Sequence, residues 1–477
     1  MSIGKVQKVT LDKVIVKKLF GYLNYDIDFR TDKSDLSIFI APNGCGKTTI
    51  FRLISFVFNP CSSTYKMISE VPFESFTCVL SNEKTITLIH KKKESIKITD
   101  DDEMIDEIYQ EQLRRIDRYY NEMHSETWSL TINNRTIKIT IRPEYFGYRE
   151  EYSGDRFSLR NRNPQGIDRE LIKFRDFLIE NDCALAVFTI GTNRINNIDF
   201  IQSDTWPIRF GEEDRSNRST LERVHKWSAS ITRLLQRNFG MYIQNAQRNL
   251  AWKYLDQTAI DADFKSFEKR WSDYRSEIAK YSSILSFCNL EDIIKPSHYK
   301  NFESIYNEKC AFLELYLIEF GKALQPIREE FPKYKLLKDL FDERNKSTQK
   351  TLAFSETGIK ILQGGKEIPL DKLSSGEKND LIMFYLLIFI YNRKNVVANT
   401  RRGRHSISND ALDSYNEEAS GCLVLIDEPE ISLHIEWQES YLDYLIKIQA
   451  MNDFQSIVAT HSPNIVNDHC DLIVKKW

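Results

Sequence analysis

From Val9 to Phe29 apolar and polar residues alternate in two runs about Gly21, which predicts a pair of strands. An apolar run, Leu36-Ser37-Ile38-Phe39-Ile40, then meets a Gly-rich stretch and an amphipathic one from Ile50 to Ile54. The order is strand, tight loop, helix. Alternation returns at Phe76–Leu80, at Thr85–Ile89 and across Ser129–Ile132 and Thr136–Thr140. The last two flank Asn133-Asn134 and read as a hairpin. Residues 100–120 are acidic and then helical in period, 143–164 reads as a Tyr/Arg/Gly-rich loop, and Leu171–Glu180 is helical. Ala184–Ile190 is nearly all apolar, the mark of a strand buried on both faces. From Ser219 to about Lys350 the period becomes helical, with charged faces and almost no glycine, and no heptad lasts four repeats. Short strands follow at Leu352–Ser355, Ile359–Leu362 and Ile368, with a turn at Gly364-Gly365. Then come a helix from Asp380 to Tyr391 and apolar strands at Cys422–Ile426 and Phe454–Ala459. The expected class is α/β.

Composition narrows the setting. A chain of 477 residues is long enough for two or three lobes. The formal net charge is −3, so any nucleic-acid contact must come from a local basic face. No run of 18 apolar residues and no leader pattern is present, and we expect no membrane span. The eight cysteines lack a C-x-x-C pair, which speaks against zinc and a disulfide framework and for the cytoplasm.

The chemistry gathers at strand ends. Ala41-Pro42-Asn43-Gly44-Cys45-Gly46-Lys47-Thr48-Thr49 is a phosphate loop of the G-x-x-x-x-G-K-[ST] kind, with Ala41 at the first glycine position. Its N–H groups and the new helix's positive end would face the phosphates. Lys47 would reach the β- and γ-phosphates, and Thr48 would ligate Mg²⁺. Asp427 and Glu428 end an apolar strand, the first placed to hold Mg²⁺ and the second to polarise an attacking water. His461 ends another apolar strand and would orient the γ-phosphate. Asn193, after the buried strand, is a candidate to meet Mg²⁺ or that water, and a plain strand-end turn explains it equally. Ser374-Ser375-Gly376-Glu377 opens a helix. A capping box accounts for the same residues, but beside the other motifs they read as a second phosphate-binding helix start.

The set APNGCGKTT, LSSGEK, LVLIDEPEISLH and ATHSPNIV resembles the ABC-type ATPases, the branch with SMC proteins, RecF and the OLD nucleases. That resemblance implies an ABC-type P-loop ATPase head with an antiparallel β subdomain and a large helical insertion. It implies two heads that sandwich ATP and Mg²⁺, the loop of one facing Leu373–Glu377 of the other. We expect lobe I at 1–205, the helical insertion at 206–350 and lobe II at 351–477. LSSGEKND, DEPEISLHIEWQ and ATHSPNIVND are most similar to the PtuA ATPases of Septu antiphage systems, with the AriA ATPases of PARIS systems next. That likeness implies a homodimer of heads, a higher homo-oligomer and an HNH nuclease, PtuB-like, as the subunit that cuts DNA. Ser375 and Glu377 depart from the signature, and Asn193 stands where related chains carry glutamine. The segment 393–420, basic then acidic, reads either as a loop that touches a partner or phosphate backbone, or as a surface insertion. A RecF-like or SMC-like DNA-binding ATPase of repair is the rival.

Overall fold

The computed structural model describes residues 8–31, 35–42, 44–92, 126–141, 164–191, 220–256, 263–287, 302–390, 419–431, 433 and 435–474. The expected helix within 100–120, the Tyr/Arg loop up to 163, the basic segment from 393, Asn43 and Asn193 lie outside the described residues. The chain divides into two compact units. The first takes Met1–Arg194, Ile198–Arg209 and Tyr391–Trp477, and the second Ile195–Asn197 and Phe210–Ile390. Strands and signature helix near 350–390 thus group with the helical stretch.

The first unit opens with β1 (Leu11–Leu19) and β2 (Leu23–Asp28), antiparallel, as the alternation predicts. After β3 (Leu36–Ile40) come α1 (Lys47–Phe58) and α2 (Ser62–Ile68), then β4 (Ser75–Leu80) and β5 (Thr85–Lys92). β6 (Glu126–Ile132) and β7 (Arg135–Ile141) form the expected hairpin, with Asn133 in the left-handed region at φ 51°. These strands make a six-stranded antiparallel sheet in the order β2-β1-β4-β5-β6-β7. α3 (Pro164–Glu180) and β8 (Leu185–Ile190) close this part. Inward residues such as Val14, Leu88 and Leu130 share one hydrophobic core with the buried face of α1, which carries Ile50, Phe51, Leu53 and Ile54. Each such side chain contributes roughly 1.5–3 kcal/mol when fully buried.

The second unit is helical first. α4 (Thr220–Asp256) runs 37 residues; one stripe of its buried positions, Val224, Ser228, Thr232, Leu235, Phe239, Ile243, Ala246 and Leu250, is spaced 4-4-3-4-4-3-4, and Thr220, Leu221, Trp227 and Ala229 are buried beside it. That is an 11-residue repeat, which explains why no heptad is legible. α4 packs on α7 (Phe302–Ala323), and α5 (Phe264–Lys280) and α6 (Ser282–Phe287) precede it. α8 (Gln325–Arg344) leads to β9 (Lys350–Ser355), β10 (Gly358–Gln363) and β11 (Lys366–Ile368), an antiparallel sheet whose tight turn uses Gly364 and Gly365 at positive φ. α9 (Ser375–Tyr385) opens at Ser374, where the sequence places a helix start, and ends in a π-helical turn, Leu386–Ile390.

The chain then returns to the first unit. β12 (Gly421–Asp427) and β13 (Gln455–Thr460) join β3 and β8 in a parallel sheet ordered β3-β13-β12-β8. Short helices α10 (Ile435–Glu439), α11 (Tyr441–Gln449) and α12 (Pro463–Val466) surround them. β12 starts on a glycine because the chain crosses there: a Cβ on Gly421 would stand 2.0 Å from the Val9 carbonyl oxygen. One hydrophobic core joins this sheet, through Leu423, Leu425 and Ile457, to α1 and the antiparallel sheet. Among the described residues no helix is long and apolar enough to cross a membrane.

Candidate functional site

The carboxyl ends of β3, β13 and β12 lie side by side, and each ends in one predicted motif. That edge is where α/β sheets hold ligands. After β3 the loop turns on Gly44 and Gly46, at φ 81° and 87°, the left-handed region open to glycine. Gly46 is also crowded: a Cβ there would lie 3.0 Å from Leu19 and 3.3 Å from the Phe20 ring. It caps α1 without a side-chain hydrogen bond, and the first turn of α1 carries no acid. Its leading N–H groups therefore have no intrahelical partner and face outward at the positive end of the helix. Cys45 packs partly against the core, and its carbonyl accepts a 2.6 Å hydrogen bond from the Tyr25 hydroxyl. Thr49 is half-buried in the same first turn.

Lys47 is buried, at 5% exposure, so its ammonium needs partners. It donates to the carbonyls of Ala41 at 2.7 Å and Pro42 at 3.1 Å, and its Nζ lies 2.9 Å from His461 Nε2. His461 Nε2 is in turn 2.9 Å from a Glu428 carboxylate oxygen. The Thr48 hydroxyl donates to Asp427 at 2.6 Å. Burial pushes the Asp427 carboxyl above its usual range; the Thr48 hydrogen bond and the Lys47 charge oppose this, and the Glu428 charge adds to it. Glu428 sits at φ 47°, unusual for a residue with a side chain, and its N–H donates to Ala459 at the end of β13. The structure thus brings together Lys47, Thr48, Asp427, Glu428 and His461.

Ser374, Ser375, Gly376 and Glu377 belong to the second unit. There the capping box forms: the Ser374 hydroxyl accepts from Glu377 N–H at 3.3 Å, and the Glu377 carboxylate accepts from Ser374 N–H at 2.7 Å. Ser374 and Ser375 are exposed, and Gly376 and Glu377 are buried. Lys350 binds both Glu377 oxygens, at 2.7 and 2.8 Å. The Glu377 carboxylate is thus buried and engaged by Lys350 and Ser374 of its own unit. Burial alone would raise its pKa, but the hydrogen bonds from Lys350 and Ser374 outweigh it and hold the carboxyl below its usual range.

Three further residues of this edge escape the sequence reading. Tyr25 carries no local signal. Glu430 and Gln438 stand beside the acidic motif in DEPEISLHIEWQ, and only their contacts reveal them.

The AAA ATPase domain family matches residues 10–466, so the chain belongs to that family. It is an ATPase domain, with the fold of an ABC-type P-loop ATPase. Among solved structures it is similar to the Smc head domain with an extended coiled coil bound to the C-terminal domain of ScpA, from Pyrococcus furiosus. That match has 15% identity and a TM-score of 0.34 over 98% of this chain and 96% of that one. A SmcHead bound to the C-winged helix domain of ScpA matches at 13% identity and a TM-score of 0.32, over the same shares. Neither likeness adds to what the family match shows. A search of curated proteins finds no match.

Proposed function

We propose that this chain hydrolyses ATP between two of its own heads and thereby controls a partner nuclease in an antiphage complex. The observation that carries the ATPase part is the line Lys47–His461–Glu428 beside the pair Thr48–Asp427, all at one sheet edge. Lys47 and the uncapped N–H groups of α1 bind the triphosphate. Thr48 and Asp427, a hydroxyl and a carboxylate already in contact, fit a hard cation that prefers oxygen, and they would hold Mg²⁺. Bound there, the cation neutralises charge on the phosphates. Glu428 accepts a proton from the attacking water, and His461 holds that carboxylate at the γ-phosphate end of the lysine. Exposed Ser374 and Ser375, at the start of α9, offer a second copy's loop the hydroxyls and N–H groups that the signature resemblance implies. The nuclease partner, the antiphage role and the DNA target rest on the PtuA likeness of the motifs. The rival, a DNA-repair ATPase, rests on the wider SMC and RecF likeness.

Phosphate release and binding of a fluorescent ATP analogue test the first part. Lys47→Ala should lose nucleotide binding. Glu428→Gln should keep it and lose about 10²–10⁴-fold in turnover, the usual worth of a positioned general base. Turnover by Glu428→Gln at the parent rate would refute the role given to that carboxylate. Co-purification with an HNH nuclease encoded beside the gene tests the partner. DNA binding without any nuclease bound would favour the repair reading.

A further inference from the structure

The turn after β12 does more than lead the chain away. Glu430 reaches back across the sheet edge, and one of its oxygens, Oε1, accepts two hydrogen bonds: from the Thr460 hydroxyl at 2.8 Å and from the His461 N–H at 2.8 Å. Thr460 is the last residue of β13 and is fully buried. Its hydroxyl also accepts from Ser462 N–H at 3.0 Å. The Ser462 hydroxyl donates to Gln438 Oε1 at 2.6 Å, and Gln438 Nε2 donates to the Leu433 carbonyl at 3.1 Å. Leu433 N–H closes the circuit on the Glu430 carbonyl at 2.9 Å.

The circuit ties the segment after Glu428 to the segment that carries His461. Only Pro429 separates Glu430 from Glu428, which sits in the left-handed region with a carboxylate oxygen 2.9 Å from the histidine. The contacts found for the His461 ring run to Glu428 and Lys47, both ends of longer side chains. Its place is therefore set chiefly by its main chain, and Glu430 holds that main chain.

We propose that Glu430 is a positioning residue for hydrolysis, which fixes His461 against Glu428 through one acceptor oxygen rather than through its charge. This rests on the ATPase reading above. Both donors converge on Oε1, and among the described residues nothing donates to Oε2. A glutamine amide oxygen can accept the same two bonds, whereas alanine leaves two buried donors unmet.

Steady-state ATP turnover of the full chain decides it. Glu430→Gln should stay within about threefold of the parent. Glu430→Ala should lose about tenfold to a hundredfold in kcat, the scale of a misplaced catalytic group, with KM changed by less than about threefold. Thr460→Val, which removes one donor and keeps the His461 N–H, should fall between them and serves where Glu430→Ala does not fold. In a His461→Ala background Glu430→Ala should cost little more, because the two act as a unit. Equal losses for glutamine and alanine would overturn the proposal in favour of a charge role. Additive losses with His461→Ala, or a rise in KM without a fall in kcat, would overturn it as well. A parent without ATP turnover, or turnover that survives Lys47→Ala, would instead count against the ATPase reading.

Discussion

At the scale of single residues, the phosphate loop is set by groups that touch no phosphate. Tyr25 comes from β2, is 7% exposed, and donates to the Cys45 carbonyl. A net hydrogen bond is worth about 1 kcal/mol. Tyr25→Phe should therefore weaken ATP binding about fivefold, read as a Kd with a fluorescent analogue. An unchanged Kd would mean that the loop holds its shape without this bond. The acidic and basic residues of the site were legible because their types and spacing follow from phosphate chemistry. Tyr25 was not, since its role depends on β2 lying beside the loop, a fact of tertiary packing. The partner of Glu377 was hidden for a related reason: Lys350 lies 27 positions away in sequence, and nothing local announces it.

At the scale of elements, α9 is fastened by charge in a buried setting. Arg344 at the end of α8 meets Asp380 at 2.7 Å with both side chains 1% exposed, and Lys350 meets Glu377 with exposures of 13% and 4%. Removing one partner of such a pair strands the other's charge, at about 3–5 kcal/mol. Lys350→Met should lower stability by about that much at neutral pH, measured by urea unfolding. Glu377 titrates below its usual value in the folded chain, so the stability it adds is present above the unfolded value and lost as pH falls through the folded one. In Lys350→Met the main lowering contact is gone, so the midpoint of acid unfolding should move to higher pH. A midpoint that stays in place would show the pair to be neutral. Hairpins and the strand–loop–helix unit were legible because neighbours in sequence decide them. Strand order was not: β13 enters between β3 and β12, a choice made by contacts about 400 residues apart. α8 also runs through Pro332, which local rules would read as a break.

At the scale of the whole molecule, the proposed two-head site would take its phosphate loop from the first unit and its exposed serines from the second unit of another copy. If two copies share each ATP, slowing hydrolysis should trap them together. Glu428→Gln with ATP and Mg²⁺ should double in mass by light scattering relative to the nucleotide-free protein, and Lys47→Ala should not. A Glu428→Gln mass that ignores ATP would leave the two-head reading without support. What the proposed complex would respond to was never legible, because a trigger is recognised by surfaces that no local pattern spells out.

The order of the parallel sheet also sets a schedule for synthesis. Among the described strands only β13 lies beside β3, so the strand that carries the phosphate loop has no sheet neighbour until residues 455–460 exist. At translation rates of 5–20 residues per second that is a wait of roughly 20–80 s. Over that interval an apolar segment, Leu36–Ile40, stands without its partner on the ribosome. Nucleotide capture should therefore wait for β13, and chaperone demand should be concentrated in that window.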